Sequence, residues 1–330
     1  MLSVPFLNDK QNRRITYLRI SVTSDCNLQC SYCATGKKQK NSLLSFDEIT
    51  RIVNAASKIG ISKIRITGGE PLLRENLSKL INQISEIKGI NDISITTNGY
   101  RLPELASELK SAGLNRVNIS LDSLIPEVYK KINGGDIRNA LKGIHVAKKY
   151  FDDIRINMVV LRGINDNEIE NFIAFGEKNN LTVRFLELMP NKNPPTPRAS
   201  AGSETFKKGG LSNETIITNL QKKYKLTKIE SGEKSSSADW FLVNNTKQKI
   251  GFISPVSKPF CASCNRMRLT ATGELIPCLH GEERISLYKA VSDGNEEEII
   301  KTFHSAAEQK ISAHQLDKGK TSCEMKSIGG

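Results

Sequence analysis

Three cysteines near the N-terminus have the spacing of a metal site. Cys26, Cys30 and Cys33 form a C-x3-C-x2-C pattern. Clustered thiolates bind metals and react readily, so three unrelated free thiols at this density are unexpected. A structural zinc site closes with four ligands, and no fourth Cys or His lies near this trio in the sequence. Three ligands leave one iron of a [4Fe–4S] cluster open to a small molecule, so the pattern favours such a cluster over zinc.

A second trio of cysteines lies near the C-terminus. Cys261, Cys264 and Cys278 are spaced C-x2-C-x13-C, and His280 could complete a Cys3His zinc site. Arg266 and Arg268 follow the second cysteine and share one face if this segment is a strand. Two guanidinium groups beside a metal cluster are costly unless an anion lies between them, although arginines on an edge strand can also simply face water.

Three polar motifs follow predicted strands, and each has a residue type suited to binding a small molecule. They are Gly68-Gly69-Glu70-Pro71, Thr96-Thr97-Asn98-Gly99 and Ser120-Leu121-Asp122. Glycine lets the backbone approach a ligand without a side-chain clash, and a carboxylate can pair with an ammonium group.

These motifs need a sheet whose strands all end on the same side. Short β-branched runs alternate with amphipathic runs from Tyr17 to Leu188, which predicts six parallel strands joined by helices. Six units are fewer than the eight of a full barrel, so we expect an α/β fold with an incomplete (β/α)6 TIM-like barrel. The predicted strands are Tyr17–Ser21, Lys63–Thr67, Asp92–Thr96, Arg116–Leu121, Ile154–Val160 and Thr182–Leu188. The predicted helices are Phe46–Lys58, Leu77–Ile87, Pro103–Ala112, Ile137–Lys149 and Glu168–Lys178.

The pattern changes after the sixth predicted strand. Residues 191–210 are rich in Pro, Gly, Ser and Lys, which predicts an exposed, mobile loop, and a helix is expected over Leu211–Lys225. From about Asp239 short strands follow, including an antiparallel hairpin around the Ala-Thr-Gly turn at 271–273, and then a helix over Glu296–Gln309. We therefore expect a partial-barrel domain over 1–238. A smaller C-terminal α+β domain over 239–330 would contain an antiparallel sheet and the second cysteine trio.

Composition limits the class of protein. The chain has 330 residues, of which 38% are hydrophobic and 25% charged, with a formal net charge of +13. No run is long and apolar enough for a transmembrane helix, and the first residues do not resemble a signal peptide, so we expect a cytoplasmic protein with no membrane partner. Six of the seven cysteines fall in the two trios, which favours metal ligation over disulfides. The positive charge favours an anionic partner.

The first trio, with an aromatic residue before its last cysteine, resembles the signature of the radical S-adenosylmethionine enzymes. The two trios together, the arginines that follow the second, and the terminal Gly-Gly resemble the GTP 3′,8-cyclase family of molybdenum cofactor biosynthesis over nearly the whole chain. The resemblance implies two [4Fe–4S] clusters, the second of which binds the guanine of GTP, and S-adenosyl-L-methionine as cofactor.

The resemblance also implies a role for individual residues. Cys26, Cys30 and Cys33 would hold the first cluster, and Cys261, Cys264 and Cys278 the second. S-adenosylmethionine would contact Tyr32, Gly69, Glu70, Ser120 and Met189. GTP would contact Arg19, Arg65, Thr96, Arg162, Arg184, Arg266, Met267 and Arg268. The expected catalytic residues are Arg266, Arg268, Gly329 and Gly330, with the Gly-Gly end inserted into the active site.

The implied reaction begins with a 5′-deoxyadenosyl radical that removes the 3′-hydrogen of GTP, after which the ribose carbon adds to C8 of guanine. The implied partners are an electron donor such as a flavodoxin or ferredoxin and, downstream, cyclic pyranopterin monophosphate synthase. We expect a monomer or homodimer.

Two alternatives remain open from the residues. A radical S-adenosylmethionine enzyme with an auxiliary cluster could act on a peptide, although the arginines and the Gly-Gly end favour GTP. A basic zinc or iron–sulfur protein could bind nucleic acid, but aromatic residues make up only 6% of the chain and do not interleave with the basic runs. We therefore expect no nucleic-acid partner.

Overall fold

One sheet organises the molecule. The computed structural model describes residues 6–33, 42–190, 209–230, 237–244 and 246–316. In this part of the chain twelve strands form one sheet with the order β12-β11-β10-β1-β2-β3-β4-β5-β6-β9-β8-β7. The strands are β1 (Tyr17–Ser21), β2 (Lys63–Thr67), β3 (Asp92–Thr97), β4 (Arg116–Ser120), β5 (Ile154–Val160), β6 (Thr182–Glu187), β7 (Leu226–Ile229), β8 (Asp239–Val243), β9 (Lys249–Ile253), β10 (Arg266–Leu269), β11 (Glu274–Ile276) and β12 (Ile285–Ser286).

The central strands confirm the expected open α/β barrel. Strands β1 to β6 pair in parallel in sequence order, and the barrel is not closed. The helices that connect or cover them are α1 (Phe46–Lys58), α2 (Leu77–Ser85), α3 (Leu102–Ser111), α4 (Pro126–Asn133), α5 (Ile137–Ala147), α6 (Ile169–Asn179), α7 (Asn213–Gln221), α8 (Tyr288–Ser292) and α9 (Glu296–Glu308).

The two faces of the sheet differ in chemistry because strand side chains alternate. One face is apolar and packs in the hydrophobic core; it includes Ile20, Ile66, Ile95, Val117 and Ile156. The other face carries polar residues at the alternate positions, among them Arg19, Arg65, Ser94 and Asn118. Parallel strands that are covered on both faces usually read as continuous apolar runs. The alternation therefore marks the second face as the side that receives polar groups.

Helix ends follow from local chemistry where the sequence carries a cap. Ser45 and Glu48 form a capping box at the start of α1, which begins and ends where the sequence predicts. Helix α4 was not predicted, because it has eight residues and Ile125 precedes it without a side-chain cap. Strands β7 and β12 were also not predicted; each is very short.

The C-terminal segment extends the same sheet at both edges. Strand β10 pairs in parallel with β1 at one edge, and β9 pairs in parallel with β6 at the other. The predicted hairpin is confirmed, since β10 and β11 are antiparallel, and β8 is antiparallel to both β7 and β9. The division at residues 238 and 239 stays a prediction.

Two further sequence predictions concern loops and membrane spans. Of the predicted loop over 191–210, residues 191–208 lie outside the described residues, and Gly210 forms an isolated β-bridge with Leu161. Within the described ranges, the helices are too short or too polar to span a bilayer.

Candidate active site

The first cysteine loop follows β1 and is held by the end of α4. The main-chain N–H of Gln29 donates to the carbonyl of Asn133 (3.0 Å), and that of Ser31 donates to the carbonyl of Ile132 (2.7 Å). The last carbonyls of a helix have no partner inside it, so they are natural acceptors for such a loop. Cys26, Cys30 and Cys33 all lie half-buried on this loop and form no disulfide.

Asp122, which follows β4, fixes the cysteine loop through hydrogen bonds. Its buried carboxylate accepts hydrogen bonds from the Tyr32 hydroxyl (2.7 Å), the Asn133 side-chain amide (2.7 Å) and the main-chain N–H of Val159 (2.9 Å). Burial raises the pKa of Asp122, and these three hydrogen bonds oppose that rise. Asp122 therefore connects β4 and β5 to the cysteine loop.

The Gly-Gly-Glu-Pro motif packs directly against the cysteine loop. A Cβ added to Gly69 would lie 2.2 Å from the carbonyl oxygen of Asp25, so only glycine fits. The N–H of Gly69 donates to Thr23 O (2.7 Å) and that of Glu70 to Asp25 O (2.7 Å). This backbone pairing brings the second strand's motif against the loop that carries the thiols.

Glu70 connects this motif to the next one. Its carboxylate accepts hydrogen bonds from the Thr97 hydroxyl (2.6 Å), Asn98 N (2.7 Å) and Leu72 N (3.1 Å). Burial raises the pKa of Glu70 to about 7, and the three hydrogen bonds oppose the rise. The sequence suggested a carboxylate free to pair with an ammonium group, whereas this carboxylate is engaged within the chain.

The donor set of the first trio fits an iron–sulfur cluster. Burial and the charge of Asp122 raise the pKa of Cys30, and electrostatic repulsion from Cys33 and Cys26 raises it further. Cations between them relieve that repulsion. Across the ranges that the structure describes, no three His, Cys, Asp or Glu side chains converge on a single metal ion. In a cube each cysteine binds a different iron, so its ligands are spread more widely than those of zinc.

The second trio lies among cations. Arg13 Nη1 donates to the carbonyl of Cys261 (2.7 Å). The buried Lys310 donates through Nζ to the carbonyls of Arg266 (2.8 Å) and Pro277 (2.7 Å), which neighbour Cys264 and Cys278 in the chain. Burial raises the pKa of Cys264, but the charges of Lys310 and Arg266 outweigh it and hold the pKa below its usual value. These surroundings favour thiolates, the form that binds iron.

His280 does not support the zinc alternative. Its ring packs edge-on against His314 with the centroids 5.0 Å apart. In the described part of the chain it does not join the three cysteines around one ion.

Arginines from separate strands lie side by side on the polar face. Arg268, Arg19 and Arg65 are register partners across β10, β1 and β2. Arg184 on β6 is buried and donates to Asn157 Oδ1 (2.8 Å) and Asn118 Oδ1 (2.6 Å). In the described residues, neither Arg65 nor Arg184 forms an ion pair with a carboxylate.

Mutual repulsion makes the arginine row (Arg19, Arg65, Arg184, Arg266 and Arg268) suited to binding an anion. Burial lowers the pKa of Arg19, and the charges of Arg268 and Arg65 lower it further. Burial and then the charge of Arg65 lower the pKa of Arg184 in the same way. Arginine stays protonated in proteins, so these directions express the cost of burying neighbouring cations. A polyanion bound to the row would remove that cost.

Buried polar atoms without partners lie on the same face. Among the described residues, the hydroxyls of Tyr17, Thr67 and Thr96 are buried and make no hydrogen bond. Buried polar groups are normally satisfied, so such atoms point to a ligand. The ring of Tyr17 lies 5.4 Å from the Arg65 guanidinium carbon and 5.9 Å from that of Arg266, within the arginine row.

The remaining predicted residues are less tightly grouped. Arg162 is exposed in the turn after β5, and its Nε donates to Gly210 O (3.2 Å). Met267 packs in the hydrophobic core on the opposite side of β10 from its arginine neighbours. Ser120 ends β4, and the half-buried Met189 follows β6. Gly329 and Gly330 lie outside the described residues.

Several residues that surround the two cysteine trios are not predicted by the sequence pattern. Asn133, Lys310 and Arg13 are distant in sequence from the thiols they approach, and only the fold brings them there. Tyr17 could have been predicted, because it lies two residues before Arg19 on the same strand and therefore shares its face.

Comparison with known proteins agrees with the geometry. The model of the Radical SAM superfamily matches residues 20–176, and that of Molybdenum Cofactor Synthesis C matches residues 181–316. A protein named GTP 3′,8-cyclase from Clostridium botulinum is 41% identical over 98% of this chain and 99% of its own length. Proteins of the same name from Alkaliphilus oremlandii (94% of this chain, 95% of the relative) and Desulforamulus reducens (98% and 99%) are each 42% identical.

Solved structures share the fold at low identity. Streptococcus suis SuiB bound to S-adenosylmethionine superposes with a TM-score of 0.62 at 16% identity, covering 90% of this chain and 69% of SuiB. AnSMEcpe with bound AdoMet gives a TM-score of 0.56 at 20% identity, covering 87% and 83%. At these identities the likeness is one of fold.

Proposed function

The chain belongs to the GTP 3′,8-cyclase family of radical S-adenosylmethionine enzymes, and from this premise we propose that it catalyses the first step of molybdenum cofactor biosynthesis. The substrate is GTP and the product (8S)-3′,8-cyclo-7,8-dihydroguanosine 5′-triphosphate. The observation that carries the proposal is the arginine row on the polar face of the sheet, because a triphosphate is the polyanion that such a row accommodates.

The first cysteine loop prepares the cofactor site. The radical SAM superfamily binds S-adenosylmethionine and a [4Fe–4S] cluster, and Cys26, Cys30 and Cys33 are the proposed ligands. When bound, the cluster and S-adenosylmethionine supply a 5′-deoxyadenosyl radical. Tyr32, Gly69, Glu70, Ser120 and Met189 are the proposed contacts of S-adenosylmethionine. Gly69 lets the motif pack against the cysteine loop, and Glu70 holds the Thr97-Asn98 turn next to that motif.

The polar face orients the nucleotide. Arg19, Arg65, Arg184, Arg266 and Arg268 would hold the triphosphate, and the Thr96 hydroxyl has an unused hydrogen bond for the substrate. Arg162, at the exposed turn after β5, and the main chain of Met267 complete the proposed set. Fixing the ribose relative to the cofactor supplies much of such a reaction's acceleration.

The second trio, Cys261, Cys264 and Cys278, is proposed to hold a second [4Fe–4S] cluster that positions guanine. The charges of Lys310, Arg266 and Arg13 around these thiols support it, since they favour thiolates and offset the negative charge of a cluster. Anaerobic metal analysis tests this assignment: about eight irons per chain with matching sulfide are expected. About four irons with one zinc would contradict it.

We propose that Gly329 and Gly330 enter the active site and act with Arg266 and Arg268 in catalysis. A chain extended by a few residues after Gly330 should keep its iron content and lose turnover of GTP. The matched control carries the same extension before Met1. Unchanged turnover in the C-terminal extension would remove this role.

The activity itself is tested by substrate choice. Reduced protein, incubated anaerobically with S-adenosylmethionine, should form 5′-deoxyadenosine with GTP and not with a panel of peptides. Formation with peptides alone would instead support a peptide-modifying enzyme. The arginine row favours GTP, because a peptide does not require several adjacent cations.

Several partners belong to the same proposal. Flavodoxin or ferredoxin would supply the electron, and cyclic pyranopterin monophosphate synthase would take the product. We propose a cytoplasmic monomer or homodimer, since a reducing compartment keeps thiols available for metal.

A further inference from the structure

Asn133, the last residue of α4, lies between a carboxylate and a cysteine sulfur. The residue is 3% exposed. The Nδ2 group donates one hydrogen bond to Asp122 Oδ2 (2.7 Å) and a second to Cys30 Sγ (3.2 Å). Both hydrogens of the amide are therefore used, one on each acidic neighbour.

The chemistry of the neighbours determines the orientation of this amide. Tyr32 and Val159 also donate to Asp122, so the carboxylate acts only as an acceptor. A flipped amide would place Oδ1 against that carboxylate and against the sulfur. In the observed orientation Oδ1 is buried and has no hydrogen-bond partner among the described residues. The amide therefore contributes to this site through the two N–H donors of Nδ2.

The backbone holds the donor in place. The carbonyl of Asn133 accepts from Gln29 N (3.0 Å), and Gly134 ends the helix in the left-handed conformation (φ 73°) with its N–H on Lys130 O (2.9 Å). Asn133 is thus fixed to the cysteine loop by its main chain as well as by its side chain.

We propose that Asn133 is a positioning residue that raises the reduction potential of the first cluster through an N–H···S hydrogen bond to Cys30. Hydrogen bonds to the sulfurs of an iron–sulfur cluster stabilise its reduced, more negative form. Groups just outside the ligands commonly tune metal sites in this way. The inference rests on the proposed cluster at Cys26, Cys30 and Cys33, and iron and sulfide content of the wild-type protein tests that premise separately.

The test compares Asn133→Ala and Asn133→Leu with the wild type. Leu has nearly the shape of Asn and donates nothing, so the two variants separate the hydrogen bond from a cavity. The midpoint potential is measured by redox titration of the holoenzyme, following the paramagnetic resonance signal that changes when S-adenosylmethionine is added. Both variants should keep their iron and shift this potential to a more negative value.

The matched control is Asn165→Ala. Asn165 is fully buried, and its amide donates to the carbonyls of Asp122 (2.7 Å) and Val159 (2.9 Å) rather than to sulfur. The midpoint potential of the first cluster in Asn165→Ala should equal that in the wild type. An unchanged potential in both Asn133 variants overturns the proposal. Loss of iron in both variants, with iron retained in Asn165→Ala, also overturns it, because Asn133 would then only support the loop.

Discussion

Charge pairing separates the arginines of the polar face into two kinds. Arg116 binds Asp92 (2.8 Å), and Arg155 binds Asp153 (2.7 Å). Arg65 donates instead to the neutral Ser94 hydroxyl (3.3 Å), and Arg184 to two asparagine amides. An arginine with neutral partners retains its charge for a ligand, whereas a paired one mainly stabilises the sheet.

Replacing Arg65 tests this distinction. Arg65→Ala should weaken GTP binding by roughly ten- to a hundredfold, since a hydrogen bond to a charged group contributes about 1.5–3 kcal/mol. Equilibrium binding of GTP to the anaerobic holoenzyme measures the change. The control is Arg116→Ala, which removes the same charge from the same level of the sheet, where Arg65, Ser94 and Arg116 are register partners. Equal losses in both variants would show that total charge, not contact, matters.

Glu70 makes stability depend on pH in a known direction. Its pKa in the folded protein is about 7, above the ordinary value of 4.5. Between these values the folded protein holds a proton that the unfolded chain has lost, so stability decreases as the pH rises through about 7. The free energy of unfolding should fall by up to about 3 kcal/mol more in the wild type than in Glu70→Gln between pH 4.5 and 8. Denaturant titrations of reduced apoprotein at each pH measure the free energy of unfolding. Parallel pH profiles for the two proteins would contradict the raised pKa of Glu70.

Among the elements, helix α5 approaches closely the turn after β3, which we propose to form part of the cofactor site. A Cβ on Gly143 would lie 2.0 Å from the carbonyl oxygen of Gly99. Gly99 itself needs a positive φ of 84°, which favours glycine. The helix therefore packs backbone to backbone against the turn that carries Thr97 and Asn98.

Adding one methyl group at this contact should move the turn. We expect Gly143→Ala to lower the free energy of unfolding by about 1–3 kcal/mol, because overpacked cores shift their backbone. Binding of S-adenosylmethionine should weaken as well. Denaturant unfolding and equilibrium binding measure the two effects. Lys142→Ala, at the neighbouring exposed position of α5, is the control and should change neither. A fully stable Gly143→Ala would contradict the contact.

The whole molecule is organised by a sheet that the C-terminal segment completes at both edges. Strands β9 and β10 cover β6 and β1, which would otherwise expose unpaired N–H and C=O groups. Arg266 and Arg268 on β10 also bring part of the arginine row to the barrel. The pairing of β10 with β1 therefore both completes this edge of the sheet and adds Arg266 and Arg268 to the proposed GTP site.

Separating the two predicted domains tests that dependence. Residues 1–238 expressed alone should associate or precipitate, because uncovered strand edges pair with other chains. Size-exclusion chromatography of the fragment, with the full-length chain as control, measures it. A monomeric fragment with cooperative unfolding would instead support an independent domain that ends at residue 238.

The sequence by itself determined the elements and the chemistry that each carries. Alternating residues such as Leu18, Arg19 and Ile20 determine a strand with one apolar and one polar face, and the cysteine spacing indicates metal ligation, because both depend on neighbours in the chain. The positions of strands β1 to β6 were therefore predictable to within a residue or so. Helix α4 and strand β7 were not, since they are short, with eight and four residues.

Only the tertiary structure decided which residues act together. The pairing of β10 with β1 places Arg268 beside Arg19, and the docking of α4 places Asn133 against Cys30. The packing of the turn after β3 against the Gly-Gly-Glu-Pro motif likewise brings the Glu70 carboxylate to Thr97 and Asn98. Contacts of this kind join residues tens to hundreds of positions apart. The local sequence pattern does not predict these contacts. They depend on strand order and register, which are determined by the packing of the whole chain.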